Sequence, residues 1–267
     1  MELTILSQGK TTGTKKLPQQ FNEPIRPDLI KRAMLAIQSH LRQAYGAKIG
    51  AGQRYVGKLS RRRRKYKGAY SHGISRVPRK TLNRRGERMT WVGAVAPGTV
   101  GGREAHPPKS WKIWDQKINK TEHRKATRSA MAASLDKIFT TTRGHIIPPT
   151  YPFLISSDIQ TITKTQDVLD ILKLSGLEAE LMRAAKRTIR AGRGKTRGRP
   201  YKQAVGPLLV VSDPCPVIQA VGNIPGMNVI TINKLNAHIL APGGHPGRLT
   251  LYTEAAIDKL NKERLFI

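Results

Sequence analysis

Arg61-Arg62-Arg63-Arg64-Lys65-Tyr66-Lys67-Gly68-Ala69-Tyr70-Ser71-His72-Gly73-Ile74-Ser75-Arg76-Val77-Pro78 is the centre of a longer stretch, Arg42 to Lys112, with nineteen Lys/Arg against two acids, Glu87 and Glu104. No apolar period of two or 3.6 residues runs through it. It therefore has too little apolar surface to offset an ordering entropy of about 1–2 kcal/mol per residue. Such a segment is expected to be mobile alone and ordered against a polyanion. Glycines and prolines from Gly46 to Pro107 punctuate it and Pro108 closes it. If it runs out and returns about residue 77, about 35 extended residues a side reach no further than about 115 Å. The expected division is a globular domain over 1–45 and 113–267 and an extended arm over 46–112, with its tip at about 67–78.

Outside the arm the chain is long enough for a real core and is still basic: the whole has 267 residues, 38% hydrophobic, with a net charge of +31. That balance points to polyanionic partners. No apolar run approaches the roughly 18–20 residues of a membrane span. The start, Met1-Glu2-Leu3-Thr4-Ile5-Leu6, lacks the basic opening and apolar core of a signal peptide. A single cysteine, Cys215, excludes an intramolecular disulfide and a multi-cysteine metal site. An intracellular, soluble protein is the expectation.

The flanks carry ordinary fold signals. Leu3–Leu6 suits a first strand, and 15–27 has loop chemistry. From Asp28 to about Tyr45, Leu29, Ile30, Ala33, Met34, Ile37 and Leu41 recur at helical spacing, with Gly46 as the stop. Asn119-x-x-Glu122 can cap a helix over about 121–138 with an inner stripe of Ala126, Ala130 and Ala133. Tyr151–Ser156 suits a strand. Thr163-x-x-Gln166 suits a capping box before a helix that Gly176 stops, and a further helix is expected over about 178–190 on Leu181, Ala185 and Ile189. Leu208–Val211, Val229–Ile232 and Leu249–Tyr252 suit buried strands, and 254–263 a last helix. Apolar strands alternating with helices predict an α/β fold with a mainly parallel sheet.

A second basic cluster, Arg183 to Lys202, has nine Lys/Arg and no acid. Within it Gly194-Lys195-Thr196 is like the end of a phosphate loop, but Ile189 stands where that loop needs glycine and a helix is expected before it instead of a strand. Gly243-Gly244-His245-Pro246-Gly247 precedes a strand, whereas a phosphate cradle opens a helix. The seven histidines show no ligand spacing, and Cys215, between Pro214 and Pro216, has no indicated base. No catalytic residue, metal site or cofactor is expected. The Arg61–Lys65 run admits a solvated charge run, a localisation signal, a membrane patch or nucleic-acid contact. Interleaved Tyr55, Tyr66, Tyr70, Trp91, Trp111 and Trp114 favour the last, since bases stack on rings while cations neutralise phosphates. The absence of a base-reading helix suits shaped RNA. The candidate contacts are Arg54, Lys58, Arg61, Arg62, Arg63, Arg64, Lys65, Lys67, Arg76, Arg79, Lys80, Arg84, Arg85, Arg88, Trp91, Arg103, Lys109, Trp111 and Trp114, with Arg193, Lys195, Arg197 and Arg199 from the second cluster. An RNA-modifying α/β enzyme and a regulator that binds messenger RNA are the other classes compatible with such charge.

At the arm's exit the wording becomes specific. Gly102-Arg103-Glu104-Ala105-His106-Pro107-Pro108-Lys109, then Trp114-x-x-Lys117-Ile118-Asn119 and Arg124-Lys125-Ala126-x-x-Ser129-Ala130-x-Ala132-Ala133, resemble the uL4 (L4) family of large-subunit ribosomal proteins, its archaeal branch above all. Gly68–Pro78, Lys164-Thr165-Gln166, the 191–199 segment and Leu240–Thr250 agree as well, so the likeness spans nearly the whole chain. The resemblance implies a three-layer α/β/α domain with a small, mainly parallel sheet, plus a long extended basic loop. It implies a non-enzymatic, cytoplasmic constituent of the large ribosomal subunit that binds large-subunit rRNA. The loop's tip would form part of the polypeptide exit tunnel wall. The wall residues would be Lys67, Gly68, Tyr70, His72, Gly73 and Arg76. Implied partners are rRNA, uL22 near the tunnel constriction, other large-subunit proteins and the passing nascent chain, with no membrane.

Overall fold

The four residues Leu208–Val211 are all buried and send alternate side chains into two different cores, Leu208 and Val210 into one, Leu209 and Val211 into the other. A strand of this kind has to be covered on both faces. In a computed structural model, which describes every residue except Tyr66, Lys67 and Glu87, it is. In chain order the elements are β1 (Glu2–Ser7), β2 (Lys10–Lys16), α1 (Pro27–His40), β3 (Arg79–Arg85), β4 (Arg88–Gly93), α2 (Lys120–Leu135), α3 (Lys137–Thr142), β5 (Phe153–Ile155), α4 (Thr165–Leu174), α5 (Glu178–Ala185), β6 (Arg187–Ile189), β7 (Tyr201–Gln203), β8 (Leu208–Val211), α6 (Val217–Gly222), β9 (Asn228–Thr231), α7 (Ala237–Leu240), β10 (Thr250–Thr253) and α8 (Glu254–Lys262). They fall into two units, Met1–Leu41 with Asp115–Ile267, and Arg42–Trp114.

The first unit is built on a six-stranded sheet in the order β2-β1-β5-β10-β8-β9. Every pairing is parallel except β1 with β2. On one face Leu3, Ile5, Leu154, Leu208, Val210 and Tyr252 meet Ile30 of α1, Met131 and Leu135 of α2, and Ile257 and Leu260 of α8. On the other face Leu6, Phe153, Ile155, Leu209 and Leu251 meet Val168 and Leu172 of α4, Leu181 of α5 and Val217 and Val221 of α6. Each such side chain contributes about 1.5–3 kcal/mol when fully withdrawn from water. This is the mixed α/β fold with a mainly parallel sheet that the strand–helix alternation predicts.

Several boundaries differ from the sequence expectation. α1 stops at His40, short of Tyr45, because Leu41 is exposed and has no core to enter. The returning chain holds that end: Gln116 N donates to Ser39 Oγ at 2.9 Å and His40 Nε2 lies 3.2 Å from Gln116 O. Within 10–16 lies a strand, β2, where the sequence carries no apolar alternation; its lysines and threonines suit the sheet edge. Asn119 and Lys164 occupy the N-cap positions of α2 and α4, and neither makes a side-chain cap; the Thr163–Gln166 box is not used, and Gln166 donates instead to Asp170. The helix expected to 190 ends at Ala185. Ala184, not Ala185, continues the buried line from Leu181, and Ile189 is exposed in β6. Continuing that helix would stack Arg183 on Arg187 and Lys186 on Arg190 at the (i, i+4) spacing, where like charges repel.

Two buried polar clusters tie the first unit together. Arg248, 2% exposed, donates Nε to Gly206 O at 3.1 Å, Nη1 to Ile239 O at 3.0 Å and Nη2 to Asn228 Oδ1 at 2.6 Å. Burial, and then the nearby charge of Arg143, push its guanidinium down to about 10, so it stays charged at neutral pH without a carboxylate partner. Glu180, fully buried, accepts from His145 Nδ1 at 2.6 Å, from Ile146 N at 2.9 Å and from Arg183 Nε and Nη2 at 2.7 and 2.6 Å. Burial alone would raise the Glu180 carboxyl, but the hydrogen bonds from Arg183, His145 and Ile146 hold it below its usual range. Burial, aided by Arg183 and Arg143 and opposed by Glu180, lowers His145.

Replacing Arg248 by Met leaves the buried Gly206 O, and the part-buried Ile239 O and Asn228 Oδ1, without this donor and is expected to lower unfolding free energy by about 1–3 kcal/mol, read as a fall in the urea midpoint at unchanged slope. A second expectation concerns pH. A lowered folded-state His pKa means that the unfolded chain binds the proton more tightly, so stability is full above about 6.5 and declines as pH falls below it. His145→Asn keeps a donor for Glu180 and removes the titration. Urea unfolding between pH 7.5 and 5 should fall less steeply for that variant than for the wild type, and equal slopes would refute the assignment to His145.

Candidate nucleic-acid interface

The second unit, Arg42–Trp114, is held by backbone pairing more than by a core. Its outgoing and returning limbs meet in sequence. Ala47 N donates to Pro108 O at 3.0 Å, Lys58 and Arg79 exchange N–H to O bonds at 3.2 and 3.4 Å, and Ala94 N donates to Pro78 O at 2.8 Å. Gly52, at φ +74°, lies so close to the returning limb that a Cβ would stand 2.3 Å from both N and Cα of Arg103. Beyond the Lys58–Arg79 bridge the chain makes one excursion, which carries the Arg61–Lys65 run, and then β3 and β4 pair antiparallel with Arg85 opposite Arg88 at the far end. The sequence announces this hairpin only weakly: Arg79–Arg85 does not alternate apolar with polar residues, and Arg88–Gly93 does so only over Met89 and Trp91. Only Ala69 and Ala94 are buried hydrophobics in this unit among the described residues.

Acids are nearly absent, so the cations use rings and carbonyls. Arg79 lies 5.2 Å from the ring centroid of Trp91, diagonally across the β3–β4 pair, and donates to Ser75 O and Val77 O. Arg76 and Arg63 flank Tyr70 at 5.0 and 6.0 Å, and Lys80 stands 3.6 Å over Tyr55. At the base of the unit Arg42 and Lys112 lie 3.7 and 4.3 Å from the Trp114 ring, which also stacks on Tyr45 at 5.9 Å, and Lys109 approaches Trp111 at 5.7 Å. Trp91, Trp114 and Tyr70 are thus partly covered by the chain's own cations, while Trp111 is 76% exposed.

The expected contact residues separate clearly in exposure. Arg54, Lys58, Arg61, Arg62, Arg63, Arg64, Lys65, Arg76, Arg84, Arg85, Arg88, Arg103 and Lys109 are exposed, whereas Arg79 and Lys80 are half-buried. Among the described residues no ion pair involves the Arg61–Lys65 run, Arg76, Arg103 or Lys109. Of the residues expected at the tip, His72 and Gly73 are exposed, Tyr70 is half-buried and Gly68 is buried. Lys67 and Tyr66 lie outside the described residues.

In the first unit the second basic cluster forms a hairpin of its own. β6 and β7 pair antiparallel, and the loop between them is closed by Arg190 N on Pro200 O at 2.7 Å and by Arg190 Nε on Arg199 O at 3.2 Å. Arg193, Lys195, Arg197 and Arg199 are all exposed on it. Gly194-Lys195-Thr196 therefore belongs to a hairpin loop, not to a strand–loop–helix phosphate cradle. Arg187 lies 4.8 Å from the Tyr201 ring, the same cation–ring device used in the other unit. The sequence reading missed Arg187, Tyr201, Arg42 and Lys112 as members of these arrangements; a basic and an aromatic residue at the two ends of one loop is a signal that could have found Arg187 and Tyr201, while Arg42 meets Trp114 from a distant part of the chain. Cys215 is half-buried with its thiol raised by burial, an inert position.

The comparisons with known proteins agree with one another. The model of the ribosomal protein L4/L1 family matches residues 15–263. The large ribosomal subunit protein uL4 of Nanoarchaeum equitans is 44% identical over 260 residues, covering 97% of both chains. The same-named proteins of Archaeoglobus fulgidus and Methanococcoides burtonii are 40% identical over 256 residues and 38% identical over 260, with coverage of 96% or more of each chain.

Gly52→Ala is expected to force the two limbs of the second unit apart, because no side chain can relieve a contact with backbone. Trypsin should then cut the full-length protein near Arg54 and Arg103 several-fold faster, with the urea midpoint of the first unit unchanged. Equal cleavage rates would show that this close approach does not hold the limbs together.

Proposed function

This chain belongs to the ribosomal protein L4/L1 family, and on that premise we propose that it serves as a structural constituent of the large ribosomal subunit by binding large-subunit rRNA through the Arg42–Trp114 unit and the Arg190–Pro200 loop. It is not an enzyme; the relatives are named as ribosomal proteins. The observation that carries the rRNA reading is a dense set of exposed cations, among which Arg61–Lys65, Arg76, Arg103 and Lys109 have no carboxylate partner among the described residues, mounted on backbone-paired loops whose rings orient them without neutralising them.

The mechanism is counter-charge combined with shape. Each phosphate met by a lysine or arginine releases condensed counterions, and the released ions drive association. Exposed Arg61–Arg64 and Lys65 supply such contacts at one end of the second unit, and Arg84, Arg85 and Arg88 at the hairpin end. The glycine-rich limbs let the backbone approach RNA closely, and exposed Trp111 offers a stacking face. In this reading the segment around 67–78 lies in the polypeptide exit tunnel wall, opposite uL22 near the constriction, where Gly68, Tyr70, His72, Gly73 and Arg76 are close to the passing nascent chain. Other large-subunit proteins are its remaining neighbours, and the setting is the cytoplasm. Among the described residues no helix is long and apolar enough to cross a membrane.

Deleting Arg61–Arg79 and closing the gap with a short Gly/Ser linker should leave the first unit's urea transition in place while the protein no longer co-sediments with large subunits. Wild-type incorporation would refute the anchoring role. Replacing Arg193, Lys195, Arg197 and Arg199 together with Gln should lower the slope of log K against log salt by up to about 3.6 in binding to an rRNA fragment, since each lost phosphate contact removes about 0.7–0.9.

A further inference from the structure

The first unit opens a pocket of about 590 Å³ among α3, the segment following β7 and the 242–247 turn, and none of the candidate RNA contacts above lines it. Two guanidinium groups stand in it. Arg143 donates Nη2 to Pro242 O at 2.7 Å and Nη1 to His245 O. A guanidinium has five N–H donors, so three remain, and among the described residues neither a carboxylate nor any other acceptor takes them. Arg183 spends Nε and Nη2 on Glu180 and Val205 O, leaving both Nη1 donors without a partner among the described residues. Glu180 thus pairs with Arg183, and no carboxylate pairs with Arg143 among the described residues. The two arginines are near enough to repel each other: burial first, and then the Arg183 charge, lower the Arg143 guanidinium. Facing them is an apolar wall of Pro27, Phe139 and Pro246.

We propose that this pocket holds one unpaired nucleotide of an RNA strand, its phosphate on the free edges of Arg143 and Arg183 and its base or ribose against Phe139 and Pro246. The inference rests on the RNA-binding reading and adds a site to it. Three observations favour a nucleotide. The free N–H groups of two planar guanidiniums suit phosphate oxygens, which they bind in paired, charge-assisted bonds. A bare phosphate would leave the apolar wall uncovered, and a duplex end cannot enter a concave pocket, whereas a splayed-out base stacks on such a surface. The pocket also follows directly on the basic hairpin: Ala204 and Val205 line it one step past β7, six residues from Arg199 and so within at most about 20 Å along the chain.

The test uses the isotope-labelled full-length protein, with the Arg Nε–H and aromatic ring signals followed by NMR during titration with uridine 5′-monophosphate and, separately, with inorganic phosphate. Uridine monophosphate is expected to shift Arg143, Arg183 and Phe139, while phosphate shifts the two arginines only and binds more weakly. Arg143→Gln should weaken the nucleotide about tenfold, the loss of one charge-assisted contact. Arg143→Lys, which keeps the charge and loses the fork, should weaken it at least about threefold and decides the matter if the Gln variant does not fold. The proposal is overturned if the nucleotide moves only signals of residues 42–114, or if Phe139 responds no more to the nucleotide than to phosphate. Binding of an rRNA fragment by the wild-type protein is scored separately. Pocket shifts with uridine monophosphate alongside absent rRNA binding would sink the rRNA reading and spare the pocket, and the reverse pattern would sink the pocket alone.

Discussion

The shortage of carboxylates governs this molecule. Forty-eight lysines and arginines share seventeen aspartates and glutamates, so most cations cannot be neutralised inside the chain. Fifteen of the acids lie in the first unit, and several are spent there: Glu254 and Asp258 on Lys15, Glu23 on Lys125 and Arg128, Asp213 on Lys259, and Glu180 on Arg183. Arg248 and Arg143 there make do with carbonyl and amide oxygens. A carbonyl satisfies the N–H groups of a guanidinium but removes none of its charge. The field of the chain is therefore positive almost everywhere that solvent or a partner meets it, and a polyanion is the natural counterpart.

Rings solve a different part of the same problem. A cation over an aromatic face gains about 0.5–1 kcal/mol at an exposed site, less than an ion pair in a dry interior, and keeps its full charge. For a surface that has to hold arginines in place and still present them to phosphates, that is the better bargain: a carboxylate would fix Arg79 by cancelling it, whereas Trp91 fixes it and leaves it available. The pairs Arg79–Trp91, Lys80–Tyr55, Arg76–Tyr70 and Arg187–Tyr201 repeat the device in two separate units. The aromatic residues interleaved through the sequence thus act first on their own chain's cations, and Trp111 is the ring left with an open face.

What the sequence discloses follows the same divide. Where burial decides, the residues speak plainly: Leu208–Val211, the Ala126–Ala130–Ala133 stripe and the Ala256–Ile257–Leu260 face all occupy the buried positions their periodicity predicts. Where backbone pairing decides, they are silent. Lys10–Lys16, Arg79–Arg85, and Arg187–Ile189 with Tyr201–Gln203 are strands without an apolar face, so the period-two signal that marks a half-buried strand is missing from them, and Arg88–Gly93 carries it only at Met89 and Trp91. Helix ends were misplaced for a related reason. At Leu41 and Ile189 an apolar residue falls at helical spacing but has no core to meet, and the sequence shows spacing without showing the core. The candidate contacts were legible as charge, and their mounting on hairpins was not. The Arg143–Arg183 pocket was not legible either, since its parts come from distant segments of the chain.

A two-stranded ribbon is marginal in water by itself, and the Arg42–Trp114 unit adds only a few buried apolar residues to its ribbon. Its repulsive charges act against the paired form, because nineteen like charges are closer together in the paired limbs than in an open chain. Glycines such as Gly52 permit the limbs to touch but also raise the entropy that pairing has to overcome. In the proposed role the same phosphates relieve both terms at once, screening the repulsion and replacing the missing core, so that ordering of the limbs and binding of rRNA are one equilibrium. The affinity of this unit for RNA is then its gross contact energy less the cost of closing the limbs, and any change that closes them beforehand strengthens binding without touching the RNA. Cation–ring pairs that survive in the free chain work in that direction, which gives the aromatic residues of this unit a reason to be there even where no base reaches them.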